Sequence, residues 1–315
     1  TFVMKPLQIA IFSLLFCCLA ACRTGKKTEP LFTQMEKTGI QFSNDIHNSP
    51  DFNIFSYRNF YNGGGTAIGD INNDGWADVF FTANMGPNKL FLNKGNWQFE
   101  DISAKAGFGP KNDWSTGVVM ADVNHDGWLD IFVCNAGYIN GQKPKCQLFI
   151  NNHDLTFTDK ATEYGLTNEG GYTTHAAFFD YDMDGDLDCF IINNSFIPVN
   201  TLNYANKRNL RAPDWPVADF LKGGGDHLYR NDNGKFTDVS KDAGIYGSLI
   251  SFGLGVTVGD VNGDHYPDIY VSNDFFERDY LYINQHNGTF KDELEDQMQH
   301  ISHSSMGADM ADINN

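Results

Sequence analysis

Four stretches of nine residues crowd oxygen-bearing side chains into a turn: DINNDGWAD from Asp70, DVNHDGWLD from Asp122, DYDMDGDLD from Asp180 and DVNGDHYPD from Asp260. Positions 1, 3, 5 and 9 give the sets Asp70, Asn72, Asp74 and Asp78; Asp122, Asn124, Asp126 and Asp130; Asp180, Asp182, Asp184 and Asp188; and Asp260, Asn262, Asp264 and Asp268. Carboxylates held within roughly 10 Å of one another repel unless something cationic lies between them. Side chains at positions 1, 3 and 5 of a tight turn converge. Gly75, Gly127 and Gly185 at position 6 permit a bend closed to residues with a Cβ, and position 7 can add its carbonyl. Oxygen-only ligands numbering near six suit Ca²⁺, whereas Mg²⁺ dehydrates reluctantly, so the expected cofactor is Ca²⁺. In the fourth stretch His265 stands at position 6, which puts its turn geometry in question. An EF-hand is excluded at position 12, where it needs a bidentate Glu on a helix and this chain has Phe81, Val133, Ile191 and Val271.

The elements that position these turns also repeat. Successive first aspartates are 52, 58, 80 and 52 residues apart, counting a fifth copy, DINN, from Asp312. After each turn comes an apolar strand (DVFFTAN, DIFVCNAG, DCFIINNS, DIYVSND), then KLFLN, QLFIN, HLYRN or YLYIN, then QFEDIS, TFTDKA, KFTDVS or TFKDEL. Four short strands at a period near 50 make one propeller blade, and a β-sandwich has no reason to repeat a whole four-strand unit. The expected fold is all-β, a β-propeller of four-stranded antiparallel blades, about four of them present and the propeller incomplete, spanning 31–315. The segment FTQMEKTGI from Phe32 echoes FTDVSKDAGI from Phe236, so residues 31–42 are expected to give an outer strand to the closing blade.

The succession of apolar strand, GDxNxDGxxD, apolar strand, LYxN and FxDxSxxAG resembles the FG-GAP/VCBS repeat, the blade unit of integrin-α propellers. The phrasing FEDISAKAGF at 99–108 and FTDVSKDAGI at 236–245 resembles bacterial lipoproteins related to cartilage acidic protein, which often carry an ASPIC/UnbV domain beyond the propeller. The resemblance covers about 60–315. It implies a calcium-stabilised propeller that binds carbohydrate or protein ligands, and no particular reaction.

Charge and targeting narrow the setting. Lys plus Arg number 22 against 40 Asp plus Glu, a formal charge of -18, so nucleic acid is not an expected partner. Residues 1–22 read as a signal: Met4-Lys5 precedes the apolar run LQIAIFSLLFCCLAA, too short for a comfortable span. Leu19-Ala20-Ala21-Cys22 resembles the bacterial lipobox, which implies a lipidated Cys22 as the membrane partner. Residues 23–30 read as a tether, and the expected location is the bacterial cell envelope, lipid-anchored at the outer membrane.

Departures from the repeat are where a function peculiar to this chain would sit. The third unit carries a long loop, 194–225, with Tyr204, Lys207, Arg208, Arg211 and Trp215, a basic and aromatic patch in an acidic chain. Five residues before each first Asp stand Gly65, Gly117, Gly255 and Gly307, but His175 in the third unit, which places a titratable group at or near the channel. His175, Arg208, Arg211 and Trp215 are the candidate ligand-binding residues. Cys134 and Cys146 flank a loop between adjacent strands and are candidates for a disulfide. No nucleophile elbow, zinc motif or phosphate loop is present. The sequence thus favours a glycan- or protein-binding module over two alternatives, a polysaccharide hydrolase or lyase working from the 194–225 loop and an envelope assembly scaffold.

Overall fold

The computed structural model describes residues 30–109, 113–137, 141, 143–196 and 207–312. Residues 30–37 fall in a separate unit, with no strand or helix among them. Among its described residues, the unit from Thr38 onward holds sixteen strands in four antiparallel sheets of four, each in sequence order. The first sheet is β1 (Thr66–Gly69), β2 (Asp78–Phe81), β3 (Lys89–Asn93) and β4 (Phe99–Asp101). The second is β5 (Trp114–Ala121), β6 (Asp130–Ala136), β7 (Gln147–Asn151) and β8 (Phe157–Asp159). The third is β9 (Thr173–Phe179), β10 (Asp188–Asn193), β11 (His227–Asn231) and β12 (Phe236–Asp238). The fourth is β13 (Gly253–Gly259), β14 (Asp268–Asn273), β15 (Tyr280–Asn284) and β16 (Phe290–Asp292). One-turn helices α1 (Ser103–Ala106), α2 (Ala161–Tyr164) and α3 (Leu294–Gln297) follow the first, second and fourth sheets.

After its opening aspartate, the second strand of each sheet carries an apolar run because it is buried on both faces. Successive side chains of a strand point to opposite sides. In β6, Ile131 and Val133 join the core shared with the first sheet, while Phe132 and Cys134 join the core shared with the third. In β10, Cys189 and Ile191 face the second sheet, and Phe190 and Ile192 face the fourth. Each such side chain contributes about 1.5–3 kcal/mol. The sheets therefore stack as blades, with neighbouring first strands in contact: β1 on β5, β5 on β9 and β9 on β13.

The first strands approach closely enough to demand glycine. A Cβ on Gly65 would meet the Thr116 carbonyl at 2.8 Å, and one on Gly117 the Thr174 carbonyl at 2.5 Å. Threonines stitch the same seam: Thr116 Oγ1 donates to the Thr173 carbonyl (2.7 Å) and Thr174 Oγ1 to that of Gly253 (2.6 Å).

Residues 31–42 are not in a strand and pair with none of the sixteen strands among the described residues; a strand exists only by its ladder, and the partners expected for this segment lie beyond residue 315. The echo of the repeat is still visible. Gly39 lies against the Phe99 carbonyl as Gly165 and Gly244, in the later repeats, lie against those of Phe236 and Phe290. At the other end, Gly307 lies against Gly255, and Met310 against Gly259, as Met120 lies against Gly69. The segment beginning at Gly307 thus takes the place of a further first strand.

A feature absent from the sequence reading covers the ends of the sheets away from the acidic turns. Phe52, Tyr57 and Phe60 pack on Trp114 at the start of β5, Ala136 at the end of β6, and Tyr172 just before β9. The ring centroids of Tyr57 and Trp114 are 5.7 Å apart, and those of Phe60 and Trp114 are 5.2 Å apart.

Candidate metal centre

All four acidic nonapeptides join the first strand of a sheet to the second, and all four share one internal scheme. The position 1 carboxylate accepts backbone N–H groups from positions 5 and 6: Asp74 (3.2 Å) and Gly75 (2.7 Å) on Asp70, Asp126 (3.0 Å) and Gly127 (2.8 Å) on Asp122. The same pair is Asp184 (3.1 Å) and Gly185 (3.0 Å) on Asp180, and Asp264 (3.1 Å) and His265 (2.9 Å) on Asp260. The position 5 carboxylate accepts the N–H of position 7, that of Trp76, Trp128, Asp186 or Tyr266. Position 6 is left-handed in every copy, with φ of 87°, 85° and 100° at Gly75, Gly127 and Gly185. His265 takes φ 71° and keeps the turn intact, so the fourth loop matches the others despite lacking its glycine.

Position 9 has a second task. Asp78, Asp130, Asp188 and Asp268 are buried, and each accepts the N–H of position 2 through one oxygen and that of the asparagine ending the third strand through the other. Those asparagines, Asn93, Asn151, Asn231 and Asn284, return a side-chain N–H to the carbonyl of position 8. Asn151 and Asn284 also reach the preceding blade, donating to the carbonyls of Ile71 and Tyr181 at 2.8 Å each. Burial pushes Asp78 up to about 6, and Asp130 and Asp188 up to about 7, against the lowering effect of their two N–H donors. Burial raises Asp268 in the same way. A carboxylate has about four lone-pair sites, so two N–H groups leave room for a cation.

The loops differ in what surrounds position 5. Asn72, Asn124 and Asn262 donate to Asp74, Asp126 and Asp264 at 2.9, 2.9 and 2.7 Å. In the second and fourth loops an imidazole joins them: His153 Nε2 is 3.0 Å from Asp126 and His286 Nε2 is 2.8 Å from Asp264. These rings stack on Trp128 (4.8 Å) and Tyr266 (4.1 Å). The third loop has an aspartate at position 3 instead. Asp180, Asp182 and Asp188 bring one oxygen each within 4.8 Å of one another, the one such group of three among the described residues. Asp182 Oδ1 is buried with no hydrogen-bond partner among them. Burial, then Asp184 and Asp180, raise its carboxyl. An unpartnered oxygen in a cluster of carboxylates suits a hard divalent cation; Arg230 is the protein cation that offsets part of the rise of the Asp182 carboxyl.

Sequence reasoning passed over His153, His286 and the four strand-ending asparagines. The asparagines had a signal, a fixed place in KLFLN, QLFIN, HLYRN and YLYIN; the histidines had none, since they align with Gly95 and Asn233.

The candidate ligand residues are not brought together. Trp215 is buried with Ala212, Leu249 and Phe252, and its Nε1 donates to the Leu210 carbonyl (2.9 Å). Arg208 is ion-paired with the buried Glu277, and Arg211 donates to the Ile245 carbonyl (3.0 Å). His175 lies apart from them, at the seam of the first strands. The disulfide expected between Cys134 and Cys146 is not formed. Both are buried thiols in one apolar cluster with Cys189, where burial pushes the Cys134 thiol well up, and the Cys146 thiol donates to Thr173 Oγ1 (3.3 Å). Cys22 and Tyr204 lie outside the described residues.

FG-GAP-like repeats are recognised at residues 70–133 and 213–271, each range opening at or running into an acidic turn. Cartilage acidic protein 1 of Xenopus tropicalis is 36% identical over 136 residues, 43% of this chain and 20% of that protein. The Mus musculus protein is 35% identical over 132 residues, 42% of this chain and 20% of its own length. The chain therefore spans about a fifth of the curated relatives it matches. Among solved structures, an Agrocybe aegerita lectin that recognises non-reducing terminal N-acetylglucosamine aligns at 17% identity and TM-score 0.37, covering 71% of this chain and 49% of that one. Bacillus licheniformis rhamnogalacturonan lyase aligns at 15% and 0.31, covering 71% and 42%. Both structural likenesses are too distant to say anything of function. With four in-phase blades and their acidic turns in place, this chain carries FG-GAP-like repeats at 70–133 and 213–271 and is similar over about two-fifths of its length to cartilage acidic protein 1.

Proposed function

We propose that the chain is a calcium-binding, ligand-binding repeat module, held at a bacterial cell envelope through a lipidated Cys22 and displaying a rigid surface to a glycan or protein. The observation that carries the calcium reading is the Asp180, Asp182 and Asp188 cluster with its buried, unpartnered Asp182 oxygen. Ca²⁺ would be held by Asp180, Asp182, Asp184 and Asp188 most tightly. In the other loops an amide replaces the second carboxylate, and in two of them an imidazole already engages position 5. A bound cation would fix the blade tips and hence the loops between blades. The repeated, stacked fold favours binding over catalysis, since most regularly spaced carboxylates serve the turns.

A pull-down of envelope glycans and proteins with and without Ca²⁺ tests this. Capture that needs the ion, and is lost in Asp182→Ala, supports it. Turnover of an envelope polysaccharide would favour the enzymatic alternative instead.

A further inference from the structure

A cavity of about 480 Å³ opens where the first strands meet, lined by Thr116, Thr174 and His175 from those strands and by Tyr61, Asn62 and Asp274 from the segments flanking them. At this level the other first strands, or the residue leading into β1, carry glycine: Gly65, Gly117 and Gly255. His175 alone projects a side chain, and Gly117 of the neighbouring strand leaves space for it, since a Cβ there would stand 2.7 Å from the imidazole Nδ1. That Nδ1 is buried with no hydrogen-bond partner among the described residues. A buried ring nitrogen left unpaired is unfavourable, and a ligand or water bonded to it would relieve that cost.

We propose that this cavity binds an uncharged, polyhydroxylated ligand, the terminal sugar of a glycan, with His175 as its central hydrogen-bonding group. The proposal deepens the reading of the chain as a glycan-binding module and rests on it. Burial holds the imidazole below its ordinary pKa, so it is neutral at pH 7 and offers one donor and one acceptor, the pairing a hydroxyl needs. The described lining contains no lysine or arginine to draw an anion. Its carboxylate, Asp274, is coupled to Arg58, whose guanidinium lies over the rings of Phe252 (5.4 Å) and Phe275 (4.6 Å). Tyr61, largely exposed and tied to Asn48 (3.0 Å), adds an aromatic surface, and Asn62 an amide. The volume lies in the range of small-ligand pockets, about 300–1,000 Å³.

The test is calorimetric titration of the full chain, in Ca²⁺, with methyl glycosides of glucose, galactose, mannose and N-acetylglucosamine, and with the methyl glycoside of galacturonic acid. Asn62→Ala changes an exposed position, so its thermal unfolding should match the parent, while His175→Gly, which removes a buried ring, is compared at a temperature where its unfolding curve shows it folded. At least one neutral glycoside should bind, at least tenfold more weakly to either variant, with the uronate weaker still. Binding to His175→Gly within twofold of the parent would overturn the assignment of the pocket while leaving the glycan reading standing. Preference for the uronate would overturn the ligand class. No binding by the parent, nor by any longer neutral glycan, would overturn both.

Discussion

The two ends of these sheets are built on different principles. The acidic end is made four times over, each tip closed by bonds among nine neighbouring residues plus one asparagine from the third strand. The aromatic end is made once, from residues as distant as Phe52, Trp114 and Tyr172, and is held by apolar burial. On the proposed reading, one end would answer to cations and the other to volume. Perturbations should therefore separate by end, and substitutions at either end will break that separation or sharpen it.

The largest effect is expected at the aromatic end. Trp114→Ala should cost about 3–5 kcal/mol in urea unfolding, the same with Ca²⁺ or chelator. A cost that halved on chelation would mean the ends are coupled. At the acidic end, Asp188→Asn leaves one buried N–H facing an amide donor and should cost about 1–3 kcal/mol in chelator, and more in Ca²⁺.

A third prediction concerns pH at a buried carboxylate in neither region. Burial raises Asp226 to about 7, although Asn193 N–H and the Ser251 hydroxyl donate to it. Between about pH 4 and 7 the folded state keeps a proton that the unfolded chain has released. Its contribution is therefore fully present below pH 4 and lost as pH rises to 7, by up to about 1.4 kcal/mol per pH unit. Asp226→Asn should flatten this slope; an unchanged profile would deny the shift. The smallest effect is His265→Gly, which relieves a left-handed φ of 71° and should stabilise by about 1 kcal/mol in thermal unfolding.

The same contrast explains what could be read in the sequence. The blades and tips were legible because their determinants are local and recur: Gly75, Gly127 and Gly185 mark one left-handed position, and strand alternation marks the shared cores. His265 misled because the conformation, not the glycine, is what the repeat requires. The turns are also less self-repelling than their charge suggests, since backbone N–H groups of positions 5 and 6 point at the position 1 carboxylate. The cap was illegible because Tyr57, Phe60 and Trp114 meet only in three dimensions. For Arg208 and Trp215, a basic and aromatic run looks the same in sequence whether it faces a ligand or packs on Glu277 and Leu249.

The central claim is that the acidic tips hold Ca²⁺, the third most tightly. Calorimetric titration of Ca²⁺ into chelator-stripped protein tests it most directly, comparing the parent with Asp182→Asn. The account predicts saturable binding in which the tightest site is weakened at least tenfold by that change. Absence of heat in the parent, or a tightest site untouched by the variant, would contradict it.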